Sequence, residues 1–469
     1  MIKKLFSHTA IYGLAPQITR IASVFALPII TQYLTDIDFG VYGVVTAVSG
    51  AIAVLNSLGL RVILTNSFYK SPYQYRWAWR QIYGFLMLWN LPYSIILSCI
   101  LWFFIPKEAY DHRFSILLLN VMPIIFFGPT AVIGTTLYQL KQQPAKIALR
   151  TAFFGIMTVI LNIYFIAVLK QGYMGWFIST AITTMMSQMS YFVPLNFVEG
   201  LKPIFNFKRR FIKHSLKVAL PTVPHFYASY LLDSSDRIVM RVMNVSTANI
   251  GLYNAAYTIG NLFRQLGTAA GFAIGPMMNA AYKNKDERTA RNLVFVLQIM
   301  FFVLTFTSAI WLKEIFHILL KNPSLQNTYQ LGIIILMGYN YRPMYIGASN
   351  KLFYVEKTKV LLKVTFVAGL VSVILNFAFI PFFGYKIAAY TTFIALMYMG
   401  YAGYFLSVFE ENNKEQYYPL LWLSLTIFLT ILAYYVVDLN FFVKISINLV
   451  VSVLCFLLVR NFSNRPRYE

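Results

Sequence analysis

Apolar runs of about 20 residues follow one another, with little between them, from Ala10 to Val459. At about 1.5 Å of rise per residue, each run is long enough to cross a hydrocarbon layer of roughly 30 Å as a helix. The runs are continuous and do not alternate, which argues against a β-barrel. The chain is 58% apolar and only 12% charged, too little polar surface to coat a water-soluble particle of 469 residues. The expected fold class is an all-α polytopic membrane protein.

Fourteen spans are predicted: 10–33, 40–63, 82–105, 114–138, 147–169, 174–195, 218–241, 250–281, 293–319, 329–351, 360–383, 387–408, 418–437 and 441–459. The first is too long and polar for a cleaved signal peptide, so the N-terminus is expected to be retained. Cys99 and Cys455 both fall inside apolar runs, which speaks against a disulfide framework.

Charge sets the orientation. Of 39 Lys and Arg, 26 fall in alternate gaps, among them Lys141, Lys146, Arg209, Arg210, Lys213, Lys217, Arg291 and Lys351. The other gaps hold eight: Lys107, Arg113, Lys170, Arg241, Lys313, Lys321, Lys386 and Lys444. The rich side is expected to be cytoplasmic, with both termini on it. A net charge of +23 then reads as a topology and anionic-lipid signal, with no nucleic-acid partner expected. The gap with Glu410, Glu411 and Glu415 is acidic although placed inside, which leaves the last two spans least secure.

Three sequence pairs recur in the same order about 211 to 216 residues apart. Phe39-Gly40-Val41-Tyr42-Gly43 returns as Ile250-Gly251-Leu252-Tyr253-Asn254, and Leu137-Tyr138 as Phe353-Tyr354. Leu161-Asn162 through Gly172-Tyr173 returns as Leu375-Asn376 through Gly384-Tyr385. Six spans separate the copies, so the halves share an orientation and form a parallel repeat. The expected domains are a six-helix bundle over 1–198, a basic cytoplasmic linker over 199–217, a second bundle over 218–409, and two added helices with a basic tail over 410–469. Pro16, Pro28, Pro221, Pro224 and Pro343 are candidate hinges or simple kinks.

Five Arg lie inside spans: Arg20, Arg61, Arg237, Arg264 and Arg342. An intramembrane Arg costs about 2.5 to 3.5 kcal/mol on insertion scales, so it should face protein or water. A guanidinium stays protonated and grips phosphate oxygens in pairs, which suits an anionic lipid head group. Gln17, Asn254, Tyr257 and Asn261 share polar faces with these Arg and are expected to line a cavity. His225, Asp233 and Asp236 are the candidates for coupling to H+ or Na+, or else Asp236 and Arg237 form a local ion pair.

The chain has no phosphate-binding G-x-x-x-x-G-K-[ST] loop, and its five His are scattered. Neither ATP hydrolysis, a catalytic centre, a metal site nor a cofactor is expected. The outer gaps are predicted at about a dozen residues or fewer, short of the outer domain a membrane polymerase or ligase generally uses.

The stretch Phe6 to Tyr42, closing on Thr35-Asp36-x-Asp38-Phe39-Gly40-x-Tyr42, has a partner running from Leu220-Pro221 through Ser235-Asp236-Arg237-Ile238 to Gly251-Leu252-Tyr253-x-x-Ala256-Tyr257. In these residues the chain resembles the polysaccharide flippases of the multidrug/oligosaccharidyl-lipid/polysaccharide exporter superfamily, of the O-antigen, capsule or exopolysaccharide type. The resemblance implies a bacterial inner-membrane protein that moves undecaprenyl-pyrophosphate-linked oligosaccharide outward by alternating access, coupled to an ion gradient. It implies a role in polysaccharide or lipopolysaccharide biosynthesis, a monomer among membrane lipids, and a polysaccharide polymerase as partner. It places the head-group cations on Arg20, Arg61, Arg237, Arg264 and Arg342. Lipid II flippases are similar in span count but carry more Arg and Asp in span one. The alternative is a cation-coupled multidrug exporter, whose relatives generally have twelve spans; a membrane polymerase or ligase is a third reading.

Overall fold

The computed structural model describes residues 17–463, except for the side chains of a few helical residues, among them His225, Ser229 and Asp233. The first half folds as α1 (Gln17–Ile30), α2 (Asp36–Ala53), α3 (Arg61–Lys70), α4 (Tyr75–Phe104), α5 (Arg113–Leu140), α6 (Pro144–Asn162) and α7 (Tyr173–Val193). There follow α8 (Arg209–Ala219), α9 (Val223–Val242), α10 (Thr247–Lys283), α11 (Glu287–Ile310), α12 (Leu312–Leu319), α13 (Pro323–Gln326), α14 (Tyr329–Gly338) and α15 (Tyr341–Tyr354). The chain ends with α16 (Thr358–Phe383), α17 (Ile387–Tyr401), α18 (Ser407–Glu411), α19 (Pro419–Val436) and α20 (Phe441–Ser463). Each predicted span contains helix within its described residues, and no strand occurs among the described residues. Among the described residues, seven helices are long and apolar enough by themselves to cross a membrane. The remaining spans are short, broken or marked by polar stripes.

The duplication is written into the backbone. Thr35 caps α2 by accepting the Asp38 N–H at 3.2 Å, and Ser246 caps α10 by accepting the Asn249 N–H at 3.3 Å. At the end of α5, Gln142 turns left-handed (φ +55°) and the Gln143 N–H reaches back to the Tyr138 carbonyl. At the end of α15, Glu356 (φ +60°) and the Lys357 N–H to the Leu352 carbonyl repeat the same closure. This five-residue backward bond satisfies carbonyls that a helix end leaves open. Gly172 and Gly384, with φ of +54° and +72°, lead into α7 and α17. Non-glycine residues pay a steric penalty in that region.

The recurring Phe-Gly-x-Tyr signature serves packing. Asp38 Oδ2 accepts the N–H and the hydroxyl of Thr35, each at 2.7 Å, while its Oδ1 accepts the Tyr173 N–H at 2.8 Å. The rings of Phe39 and Tyr42 lie 5.0 and 4.7 Å from that of Trp176, on α7. Gly40 sits on the backbone of Thr247, and Gly251 on the backbone of Asp36, each too close to admit a Cβ. The first turn of α10, Ser246–Gly251, packs with residues up to Tyr230 as one unit. Leu231–Val245 and the residues from Leu252 onward form a second.

The two copies break in different helices. Span two is interrupted between Ala53 and Arg61, where Leu58 and Gly59 take φ of +49° and +72°, whereas α10 runs unbroken for 37 residues. Span ten is interrupted at Tyr339–Asn340, which separates α14 from α15. Buried Asn340 holds this second break: its carbonyl accepts from Gln298 at 3.1 Å and its side chain meets Thr305 at 2.9 Å. The candidate hinge Pro343 is the third residue of α15 and Pro221 lies in a tight 3-10 turn, so both mark helix beginnings. Pro16 falls outside the described residues.

Span nine ends at Ile310, not 319, because Lys313 and Glu314 start a separate amphipathic helix, α12. The gap after it, Trp311 to Thr328, is therefore longer than expected and is filled by α12 and α13. Ion pairs fasten the last two spans. The acidic gap that looked anomalous meets basic neighbours: Arg291 pairs with Glu415, and the Lys414 N–H donates to Glu287, which also binds Lys351 at 2.7 Å. At the other end of α19, Asp438 pairs with Lys313 at 2.7 Å and Lys444 with Glu314 at 2.6 Å. The gap before α19 thus lies with two basic gaps, and the gap after it with the α11–α14 gap.

Candidate functional site

The first unit carries Gln17, Arg20 and Arg61. Gln17 and Arg20 are half-buried on α1. That helix touches α6 where the Thr19 hydroxyl approaches the Thr151 carbonyl at 3.4 Å. Arg61 is exposed as the first residue of α3, and its guanidinium donates to Gln139 Oε1 at 2.8 Å. A cation at a helix N-terminus opposes the helix dipole, so the neutral carbonyl of Gln139 is a suitable partner.

His225 also falls in the first unit, and the second unit carries the rest, in two groups along α10. Near its start, Arg237 is only 6% exposed, its Nε donating to Asn254 Oδ1 at 2.8 Å and its Nη1 reaching Asp236 Oδ1 at 3.2 Å. The guanidinium lies 4.2 Å from the ring centre of Tyr257, and the Tyr253 hydroxyl donates to the other Asp236 oxygen. The Tyr339 hydroxyl reaches that of Tyr257 at 3.3 Å. In a low-dielectric interior such a pair needs every charge and lone pair matched, and this one is. Arg237, Asn254 and Tyr257, expected along a cavity, are in contact with one another here, and Asp236 and Arg237 form the local ion pair that the sequence left as an alternative. Asp236, a candidate for ion coupling, is the counter-charge of Arg237. The side chains of His225 and Asp233 lie outside the described residues.

Two to three turns further on come Asn261 and Arg264, with Arg342 opposite on α15. Arg264 and Arg342 are half-buried, and Asn261 Oδ1 is buried without a hydrogen-bond partner. Gly267, one turn beyond Arg264, faces the Arg342 stem so closely that a Cβ would lie 2.7 Å from Arg342 Cγ. Gly260 and Gly271 likewise face Ile335 and Ile346, so α10 lies on α14 and α15 along a strip of small residues. Packing of this kind holds helices together where lipid removes the hydrophobic drive. Arg342 Nη1 reaches the Tyr341 hydroxyl at 3.2 Å, with its guanidinium 5.6 Å from the Tyr345 ring. Arg264 and Arg342 thus belong to adjoining helices, and Asn261 lies one turn before Arg264 on α10.

Sequence reasoning missed Tyr253, Tyr339, Tyr341 and Tyr345, which surround the two cationic groups. Three of them fall within seven residues around Arg342, a density that could have drawn attention. No cluster of three potential metal ligands occurs among the described residues.

A family model described as polysaccharide biosynthesis protein matches residues 5–282. The chain belongs to this family. As a family member it also shares its fold with solved transporters. A structure of the lipid II flippase MurJ in an inward closed conformation superposes with a TM-score of 0.70 at 13% identity, covering 91% of this chain and 97% of the other. An inward-facing multidrug resistance MATE family transporter gives 0.55 at 14% identity, over 89% and 95%. A MOP superfamily transporter from Pyrococcus furiosus gives 0.51 at 13% identity, over 94% and 96%. No curated protein matches the sequence. The family member is a multi-pass membrane protein with a flippase and exporter fold.

Proposed function

We propose that this protein is a flippase in the bacterial cytoplasmic membrane that carries undecaprenyl-pyrophosphate-linked oligosaccharide to the outer leaflet for O-antigen, capsule or exopolysaccharide assembly. The observation that carries the proposal is the placement of Arg264 and Arg342 on adjoining helices of a polysaccharide biosynthesis family member. A pyrophosphate can take bidentate hydrogen bonds from each guanidinium. Tyr341 and Tyr345 orient the Arg342 head, and the free Asn261 oxygen suits a sugar hydroxyl. Arg20 and Arg61 of the first unit are further cations proposed for the head group.

Transport proceeds by alternating access, the prenyl tail remaining in lipid while the head group crosses. Both termini are cytoplasmic, and the polypeptide does no covalent chemistry. Ion coupling falls to Asp233 and His225, because Asp236 is engaged by Arg237 and Tyr253.

The test uses proteoliposomes loaded with a fluorescent undecaprenyl-pyrophosphate oligosaccharide, read by an impermeant quencher. Wild type should move the lipid, and Arg264→Ala with Arg342→Ala should slow it at least about tenfold. Equal rates in wild type and the double variant would overturn the proposal. Efflux of a cationic dye that survives both substitutions would favour the exporter alternative instead.

A further inference from the structure

Helix α8 has no part in the transport site, yet it is the most sharply amphipathic segment among the first-unit helices. One apolar side is engaged: Ile212 and Ala219 are buried in the cluster formed by Leu60, Leu64, Trp79 and Ile82. Phe211 packs on Trp77 with ring centres 5.1 Å apart. The lead-in is stapled to α4, where the Lys208 N–H donates to Gln81 Oε1 at 2.7 Å and Arg80 Nε to the Lys202 carbonyl at 2.9 Å. The helix is therefore held in a fixed position.

Its other side is basic and exposed. Arg209, Lys213 and Lys217 recur every fourth residue and so form one stripe, with Arg210 and His214 beside it. These residues line a shallow groove of about 650 Å³ whose far end is the exposed Leu220. None of the ion pairs found among the described residues involves this stripe. Elsewhere the cytoplasmic-side cations Lys141, Arg291 and Lys351 each have a carboxylate. A rigid row of cations beside apolar side chains, in the gap between spans six and seven, matches a bilayer surface that offers anionic head groups above acyl chains.

We propose that α8 is a binding surface for anionic phospholipid head groups of the cytoplasmic leaflet. Arg209, Arg210, Lys213 and Lys217 contact the phosphates, and Val218 and Leu220 enter the layer just beneath. The lipid bound here is distinct from any transported substrate, and the inference does not depend on what is transported.

Full-length protein purified in a neutral detergent is exposed to phosphatidylglycerol or phosphatidylcholine and examined by native mass spectrometry. Wild type should retain phosphatidylglycerol in preference. The variant with Arg209→Gln, Arg210→Gln, Lys213→Gln and Lys217→Gln should lose that preference by about tenfold or more, since each cation near an anionic surface adds to the attraction. A comparison variant, Lys283→Gln with Lys285→Gln and Arg288→Gln, removes charge from another basic gap and should keep it. Equal retention of the two lipids by wild type overturns the proposal and leaves the stripe to an acidic protein segment. Equal losses in the two variants also overturn it, because net charge alone would then explain the binding. Circular dichroism and thermal unfolding of each variant verify that it is folded.

Discussion

The carboxylate of Asp38 reaches across 135 residues to accept the backbone N–H of Tyr173 at 2.8 Å, while its other oxygen closes the capping box with Thr35. One nearly buried side chain therefore fixes the start of α2 and the start of α7. Asp38→Ala takes the acceptor from three part-buried donors and opens the capping box, for a cost of about 1 to 3 kcal/mol. Thr35→Ala should cost about 1 kcal/mol. Thermal unfolding in detergent measures both, and equal melting temperatures for Asp38→Ala and wild type would refute the assignment.

Asp236 and Arg237 make a second prediction, of a different kind. Removing one partner leaves a buried charge, so Asp236→Asn and Arg237→Gln should each destabilise the protein by about 3 to 5 kcal/mol. The double variant should lose much less than the sum, because neither charge remains. Additive losses in unfolding experiments would show that the two do not act as a pair.

Packing of α10 on α15 can be tested at Gly267. A leucine there must displace the Arg342 stem, and overpacking of this sort costs about 1 to 3 kcal/mol. Transport should fall together with stability, since Arg342 is moved. Gly200 has open space around it but φ of +66°, so Gly200→Ala should lower the melting temperature slightly without affecting transport.

The exposed pair Lys313–Asp438 should be visible in the pH dependence of stability. The hydrogen bond from Lys313 holds the Asp438 carboxyl below its ordinary value, and the same contact raises Lys313. A lowered carboxyl contributes stability above its unfolded-state pKa and loses it as pH falls through the folded one. The raised ammonium contributes at lower pH and loses its part in strongly alkaline solution. Both groups are about two-fifths exposed, so solvent screening limits the effect to under about 1 kcal/mol. Asp438→Asn should flatten the acid limb of the melting curve by that amount, and an unchanged limb would show that the pair contributes nothing.

The pairs at the two ends of α19 make a topological prediction. In a Cys99→Ser, Cys455→Ser background, a cysteine at Asn413 should be shielded from an impermeant maleimide in intact cells, and one at Asn440 should react. The reverse pattern would invert the last two spans.

Much of this fold was legible in the sequence because lipid leaves few choices: a long apolar run must satisfy its own backbone, so it becomes helix. The repeat was visible where it carries backbone duty, at Gly40 and Gly251 and at Gly172 and Gly384. The breaks were not. The gap at Ala53–Arg61 sits in an apolar stretch with a single glycine, and Asn340 owes its role to Gln298 and Thr305, which lie far away in sequence. Likewise, intramembrane charge identified Arg237 as costly but could not tell a lumen cation from a matched pair. The answer lay in Tyr253, Tyr257 and Asn254, and only tertiary packing brings these to it.

The reciprocal contact of Gly40 with Thr247 and of Gly251 with Asp36 ties the two copies of the motif to each other. Asp36 and Thr247 occupy equivalent places in the two copies, as do Gly40 and Gly251, so the motif binds its own duplicate through the same two positions in exchanged roles. That is the signature of a two-fold homodimer interface. Neither glycine can therefore gain a side chain unless the backbone opposite it moves, so a change in one copy of the motif is felt at once in the other.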